Sequence, residues 1–177
     1  MNRPMTGSRR MRRLAVILFL GAVAVCGMLA YRWSHLPPPA PREVQVSGLR
    51  IVRQELDKIA ASPFGRSERG QALILEIERL IESDRIVFSS GLGGPRGQTW
   101  HNVFGMRRVY VKVIEMNRGR YLHQLPWQLS ESLFHEAVHS LQTGAHRASF
   151  EEECDAFVAG LQAEAVSRGI APASVFS

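Results

Sequence analysis

The stretch HEAVHSLQTGAHRASFEEECDAF (His135–Phe157) decides how this 177-residue chain is interpreted. Apolar residues recur at helical spacing through its first half, which predicts a helix from about residue 129 or 130 to Gln142. At about 100° per residue, His135 and His139 lie one turn apart on the flank of that helix. Both imidazoles can therefore reach one ion, and the stretch predicts a metal site built on a helix.

The motif HEAVH has the form HExxH, which is the signature of zinc-dependent hydrolases when it lies on a helix. His135 and His139 supply neutral nitrogen ligands for Zn²⁺. Glu136 points too far round the helix to bind the ion, but it can reach a water held there and act as general base. Two solvated histidines without a metal are the alternative, although composition alone produces this triplet in well under ~1% of chains of this length.

A third ligand must come from outside this motif. The longer pattern HExxHxxGxxH fails, because Gln142 stands where its glycine belongs and Ala145 where its last histidine belongs. The remaining candidates lie in the acidic cluster that follows, which offers three consecutive glutamates: Glu151, Glu152 and Glu153.

Among these glutamates, only Glu151 is followed four residues later by an aspartate, Asp155. Glu152 has a structural explanation, because it forms a capping box with Ser149 as N-cap. A second helix is therefore expected to begin next to Ser149. Its large apolar residues predict the face that packs on the core, with the cysteine as a core thiol: Phe150, Cys154, Phe157 and Leu161.

HEAVH together with EEECD resembles the gluzincin group of zincin metallopeptidases, especially its small members, in which a short connection joins the HExxH helix to an ExxxD helix. The resemblance covers about a fifth of the chain. It implies that His135, His139 and Glu151 bind Zn²⁺. It also implies that Glu136 is the general base and that Asp155 orients one of the ligating histidines.

Four further residues are candidates for stabilising a transition state. His146 and Arg147 lie between the two helices, and Tyr121 and His123 come just before the first one. A simply solvated side chain is the alternative for each of them.

The rest of the domain predicts a mixture of helices and short strands. Helical spacing over about residues 44–61 and 67–83 predicts two helices, and RIVFSS (85–90) a short strand. GLGGPRGQTWHN (91–102) is interpreted as a glycine-rich loop. RRVYVKVIEMN (107–117) alternates like a strand and resembles the zincin edge strand that pairs with an extended substrate, with a core strand as the alternative. The expected fold is α+β, in the form of a minimal zincin-like domain.

The N-terminal part of the chain predicts a membrane anchor. Residues 1–13 contain five arginines and no acid, and residues 14–31 contain no charged residue. As a helix, the second segment would span ~27 Å. We expect a basic cytoplasmic N-terminus at 1–13, a single transmembrane helix at 14–31, a Pro-rich linker at 32–42 and a metallopeptidase domain at 43–177.

The location expected from this arrangement is a single-pass membrane protein whose domain is extracytoplasmic, in the periplasm or outside the cell. The alternative is a cleaved signal peptide and a secreted protein, because AVA at residues 22–24 has small-residue cleavage character.

The net charge of +6 comes from the N-terminal segment. Seven of the 22 basic residues precede residue 43 and none of the 16 acidic residues does, which leaves 15 against 16 and a net charge of −1 for the remainder. No nucleic-acid-binding surface is therefore expected.

Together these features predict a membrane-anchored zinc metallopeptidase that hydrolyses peptide bonds in a peptide or protein substrate. The competing hypothesis is a membrane-tethered binding or scaffold module without catalysis on the same fold. The two differ in whether the zinc keeps a fourth position open for water, since structural sites are closed by four protein ligands.

Overall fold

The computed structural model describes residues 14–24, 26–27, 36–93, 96–101, 107–116, 120–142 and 149–170. The chain divides into two compact units, Met1–Leu36 and Pro37–Ser177. The described residues form five helices and two small sheets, so the chain is α+β as expected.

In the first unit, residues 14–24 together with 26 and 27 are helical (α1). Within the described part of the chain, no helix combines the length and apolar character needed to cross a membrane. The prediction of a transmembrane helix at 14–31 is therefore wrong, and so is the single-pass membrane location inferred from it. Residues 25 and 28–31 lie outside the described residues.

The second unit begins with two amphipathic helices close to the predicted bounds. Helix α2 covers Arg42–Ala60 and helix α3 covers Glu68–Glu82. Ser67 caps α3, because its side chain accepts a hydrogen bond from the Gly70 N–H at 3.0 Å. Apolar side chains at helical spacing face the core, among them Val52, Leu56, Ile59, Leu73, Ile77 and Leu80.

Five short strands follow and form two sheets: β1 (Ile86–Ser89), β2 (Gly97–His101), β3 (Arg107–Lys112), β4 (Ile114–Met116) and β5 (Arg120–Leu122). The larger sheet has the order β1-β3-β2, with β3 parallel to β1 and antiparallel to β2. Strands β4 and β5 form an antiparallel hairpin.

Strand β3 is the centre of the larger sheet, so residues 107–112 follow the core-strand alternative and not the edge strand. Its Val109 and Val111 are each 1% exposed and Tyr110 is 2% exposed, which shows that both faces of β3 are covered. The two edge strands are β1 and β2, and β2 lies in the segment interpreted as a glycine-rich loop. Alternation alone could not distinguish these cases, because a strand buried on both faces can still alternate aliphatic with larger side chains.

The outer edge of β1 is closed by Ala40, which precedes α2, and by Gln45 in the first turn of α2. The Ala40 N–H donates to the Phe88 carbonyl at 2.8 Å. The Gln45 side chain also donates to that carbonyl at 2.7 Å and accepts from the Phe88 N–H at 2.9 Å. Residues 38–40, which fall within the predicted Pro-rich linker, therefore contact the sheet directly.

Helix α4 (Pro126–Leu141) contains the HExxH motif and lies at the centre of the domain, in contact with the sheet, α2 and α3. It begins at a proline, whose missing N–H is not needed in the first turn of a helix. Its core face is formed by Leu129, Leu133, Phe134 and Ala137, each at most 4% exposed.

Helix α5 (Phe150–Ser167) packs closely on α4 through small residues. Its buried side chains include Ala156, Ala159 and Ala163, and Gly160 is also buried. A Cβ on Gly160 would lie 2.9 Å from the Glu131 carbonyl oxygen of α4. The two helix backbones thus approach too closely for larger side chains.

The predicted apolar face of α5 is therefore wrong. Phe150 is 83% exposed, Phe157 is 55% exposed, Leu161 is 40% exposed and Cys154 is exposed as well. The capping box is confirmed: Ser149 Oγ accepts from the Glu152 N–H at 3.2 Å, and the Glu152 carboxylate accepts from the Ser149 N–H at 2.6 Å.

A buried carboxylate ties α3 to α4. Glu76 accepts two hydrogen bonds of 2.8 Å from Arg79 and a further one from the Ser140 hydroxyl on α4. Burial by itself raises the pKa of Glu76, but the hydrogen bonds from Arg79 and Ser140, with the charges of Arg79 and Arg107, bring it below its ordinary value.

We predict that the hydrogen-bonded carboxylate of Glu76 makes the free energy of unfolding depend on pH. A carboxyl group whose pKa is lowered on folding contributes stability above its unfolded pKa and loses it as pH falls through its folded pKa. Glu76→Gln should therefore lower the free energy of unfolding at neutral pH by about 1–3 kcal/mol, with a smaller difference below about pH 4. Urea unfolding across pH measures this, with exposed Glu78→Gln on the same helix as control. A Glu76→Gln effect that does not change with pH would contradict it.

Candidate metal centre

Two histidines of α4 and one glutamate of α5 converge on one point. His135 Nε2 and His139 Nε2 lie 3.1 Å apart. Glu153 Oε2 lies 3.7 Å from the first nitrogen and 3.6 Å from the second. These three residues offer ligand atoms that all lie within 4.8 Å of one another.

The spacing of the three atoms fits one small tetrahedral ion. Zinc binds histidine nitrogen and carboxylate oxygen at about 2.0–2.2 Å, which places neighbouring ligands of a tetrahedral site about 3.3 Å apart. The three distances between His135, His139 and Glu153 bracket that value. Two imidazoles and a carboxylate also form a ligand set that occurs in catalytic zinc sites.

The structure brings Glu153 to the histidines and leaves Glu151, the expected third ligand, elsewhere. The two glutamates are two positions apart on α5, so they point about 200° apart around its axis. Glu153 lies on the same side as Gly160, the residue that touches α4 near Glu131 and His135. Glu151 is exposed and lines a groove between α3, α4 and α5. The choice of Glu151 is therefore corrected to Glu153.

Asp155, expected to orient a ligating histidine, contacts a different partner. Its carboxylate forms an ion pair of 2.7 Å with Arg69 of α3, and the same guanidinium donates to its backbone carbonyl at 2.7 Å. Gln142 occupies the expected role instead, because its Oε1 lies 2.9 Å from His139 Nδ1. A contact of this kind orients the ring and leaves Nε2 facing the proposed ion.

The two histidine side chains are largely buried, at 18% and 14% exposed, while that of Glu153 is 45% exposed. Burial lowers the pKa of His135, and the neighbouring His139 lowers it further, against the opposing charge of Glu153. His135 is therefore held in the neutral form that a metal ligand requires. Its ring also meets Phe157 edge-on, with ring centroids 4.8 Å apart.

Glu136 lies between α4 and the edge strand β2, and is 7% exposed. The Thr99 hydroxyl donates to its Oε2 at 2.7 Å. Gly97 leaves the space that this carboxylate occupies, since a Cβ there would lie 3.0 Å from Glu136 Cγ. Burial raises the pKa of Glu136, against the opposing effects of the Thr99 hydrogen bond and of His139. The result is a carboxylate that is more basic than an exposed glutamate.

The remaining candidates do not join this cluster within the described residues. His123 Nε2 lies 2.8 Å from the Ser47 hydroxyl on α2, and its ring packs edge-on against Phe88. Tyr121 pairs with Glu115 across the β4–β5 hairpin. Its partial burial and that carboxylate raise its pKa. The other two candidates, His146 and Arg147, lie outside the described residues.

Sequence reasoning named Glu153 among three candidates without choosing it, and it missed Gln142 and Thr99. A signal for Glu153 exists in the small residues at positions 156, 159, 160 and 163, whose spacing marks a face suited to close helix packing. Gln142 stands three residues after His139, which places it on the same side of the helix. Thr99 has no local signal, since its contact with Glu136 spans 37 positions of sequence.

Comparisons of the chain with protein-family models, with curated proteins and with solved structures found no match.

We predict that close packing at Gly160 is required to keep Glu153 in place. Gly160→Ala should lower the free energy of unfolding, even though alanine favours a helix by about 1 kcal/mol, because the new Cβ meets the Glu131 carbonyl. Gly160→Ala should also weaken metal binding, because it displaces Glu153. The control is Gly93→Ala, where a Cβ meets nothing within 4 Å. A more stable Gly160→Ala protein with unchanged metal affinity would contradict the prediction.

We also predict a rank order among the three glutamates. Glu153→Gln should weaken zinc binding by more than the roughly 10–100-fold typical of losing a partner that only orients a ligand, because a charged oxygen donor becomes a neutral one. Glu151→Gln should leave affinity unchanged. Glu152→Gln should do the same while costing about 1 kcal/mol or less through the helix cap.

Competition of each variant with a chromogenic chelator measures these affinities. If Glu151→Gln emptied the site and Glu153→Gln did not, the described geometry would not be that of the bound state.

Proposed function

We propose that the chain is a zinc-dependent hydrolase that cleaves peptide bonds. The observation that supports this most directly is the spacing of His135 Nε2, His139 Nε2 and Glu153 Oε2, which matches three corners of a zinc tetrahedron. A buried carboxylate with a raised pKa, Glu136, adjoins one of these ligands in sequence. A zinc ion with a purely structural role needs no general base beside it.

The donor set favours catalysis over a structural site. Three protein ligands leave the fourth position of a tetrahedral ion to water, whereas structural sites use four protein ligands. The described residues offer three ligand atoms at this point. Glu153 is the more exposed of the three, so the fourth position is expected on the solvent side of the cluster.

The chemistry that a bound zinc ion supplies is Lewis acidity, which polarises a carbonyl group and lowers the pKa of a coordinated water. Glu136, which the Thr99 hydroxyl holds through Oε2, takes the proton from the attacking water. The water oxygen bonds to the carbonyl carbon. Glu136 then delivers the proton to the leaving nitrogen as the C–N bond breaks.

A polypeptide substrate is favoured by the edge strand beside Glu136. The Lys112 N–H donates to the Arg96 carbonyl at 2.8 Å, so these two residues form a hydrogen-bonded pair of the β2–β3 ladder. Hydrogen-bonded and non-hydrogen-bonded pairs alternate along an antiparallel ladder, so Gly97 and Thr99 belong to non-hydrogen-bonded pairs. The backbone groups of Gly97 and Thr99 therefore point away from β3, to the side of β2 on which the described residues place no further strand. An extended peptide can add to such an edge by main-chain hydrogen bonds. The opposite edge of the sheet is already closed against Phe88.

We predict that a variant of the proposed base and a variant of a proposed ligand differ in their zinc content. Glu136→Gln should keep zinc and lose hydrolysis by about 10²–10⁴-fold, because the base is not a ligand. His139→Ala should lose both zinc and hydrolysis. The measurements are zinc content and cleavage of a mixed fluorogenic peptide library by the full chain.

Two outcomes would count against this proposal. Equal zinc loss in Glu136→Gln and His139→Ala would make Glu136 a ligand and remove its role as base. A zinc-loaded wild-type protein that binds peptides from the library without cleaving them would favour a binding module.

A further inference from the structure

The two histidines of the proposed centre are held in different ways. The His135 ring packs against the ring of Phe157, at an interplanar angle of 74°. His139 is instead held by a hydrogen bond, in which its Nδ1 lies 2.9 Å from Gln142 Oε1. Its Nε2 also contacts His135 Nε2 at 3.1 Å. Gln142 is thus the partner of His139 on the Nδ1 side of the ring, and it lies at the end of the same helix.

The backbone N–H and the backbone carbonyl of Gln142 are both hydrogen-bonded. It ends α4 in an extended conformation, with φ −67° and ψ 131°. Its N–H donates to the Val138 carbonyl at 3.2 Å. Its carbonyl accepts from Arg107 Nη2 at 2.6 Å. With both backbone groups bound, the side chain of Gln142 leaves the helix in a defined direction, toward His139.

Arg107 connects this helix end to the sheet. It is the first residue of β3, the central strand. Its positive charge lowers the pKa of the buried Glu76, which also accepts a hydrogen bond from the Ser140 hydroxyl of α4. The last turn of α4 is therefore held from β3 at Gln142 and from α3 at Ser140.

The hydrogen bond to Gln142 also selects a tautomer. A neutral imidazole has one N–H and one lone pair, and an amide oxygen can only accept. In the neutral ring, the proton of His139 then lies on Nδ1. This leaves the lone pair on Nε2, the atom that faces His135 and Glu153.

We infer that Gln142, held by Arg107, is a positioning residue that fixes the ring and the tautomer of His139 so that Nε2 binds the metal. The inference rests on the proposed metal centre and adds the residues that prepare one of its ligands. Gln142 acts through His139 and contacts neither metal nor substrate.

The experiment compares full-length variants of Gln142. Gln142→Met keeps length and removes the acceptor, while Gln142→Glu restores an acceptor. The matched control is Gln71→Met on the exposed face of α3. Affinities for zinc and cobalt(II) are measured by chelator competition, and the cobalt(II) absorption spectrum reports ligand geometry. Long-range ¹H–¹⁵N NMR of the metal-free protein reports the His139 tautomer.

We expect Gln142→Met to weaken zinc binding by roughly 10–100-fold, to change the cobalt(II) spectrum, and to populate the Nε2–H tautomer. Gln142→Glu should recover most of the affinity, and Gln71→Met should equal the wild type. Arg107→Met should weaken zinc binding less, and its effect should largely disappear when Gln142→Met is already present, because both act along one path. Urea unfolding of each metal-free variant identifies any loss that is due to misfolding.

Failure of this inference differs from failure of the proposed function. If the wild type binds zinc through His139 and Gln142→Met matches it in affinity, spectrum and tautomer, the inference is overturned while the metal centre stands. Additive effects of Arg107→Met and Gln142→Met would overturn the role of Arg107. If the wild type binds neither zinc nor cobalt(II), the proposed function fails and this inference fails with it.

Discussion

The close approach of α5 to α4 is the constraint on which the proposed centre depends. Small residues form the buried face of α5, and the position of a Cβ on Gly160 would lie 2.9 Å from a backbone oxygen of α4. A helix this close, with its buried face set by alanines, has little freedom to rotate about its axis. Glu153 therefore lies beside His135 and His139, while Glu151 points to the α3 side.

Three carboxylates near α4 show how surroundings produce different roles from one side chain. Glu76 is buried but receives hydrogen bonds from Arg79 and Ser140, so it stays charged and joins two helices. Glu136 is buried with one hydroxyl donor, so it becomes more basic. Glu153 is half-exposed beside two imidazoles, in a group of three residues that could hold one ion. Burial and the number of hydrogen-bond donors distinguish Glu76, which joins two helices, from the proposed base Glu136 and the proposed ligand Glu153.

The sheet contributes to the site through its two unequal edges. Phe88 on β1 has its backbone groups bound by Ala40 and Gln45, which closes that edge. Strand β2 instead places Thr99 on Glu136 and turns alternate backbone groups outward beside the same carboxylate. Among the described residues, no strand pairs with the outer edge of β2, which is the edge next to the proposed base.

The sequence by itself determined what depends on neighbours along one helix: the HExxH pair one turn apart, the Ser149–Glu152 capping box and the helices α2 and α3. Tertiary structure decided what depends on which face is buried and which segments meet. A large apolar stripe indicated one face of α5, but packing against α4 selected the small-residue face, and the third ligand changed with it. The roles of Gln142 and Thr99, like the central place of β3, follow from contacts between distant segments, which local periodicity does not contain.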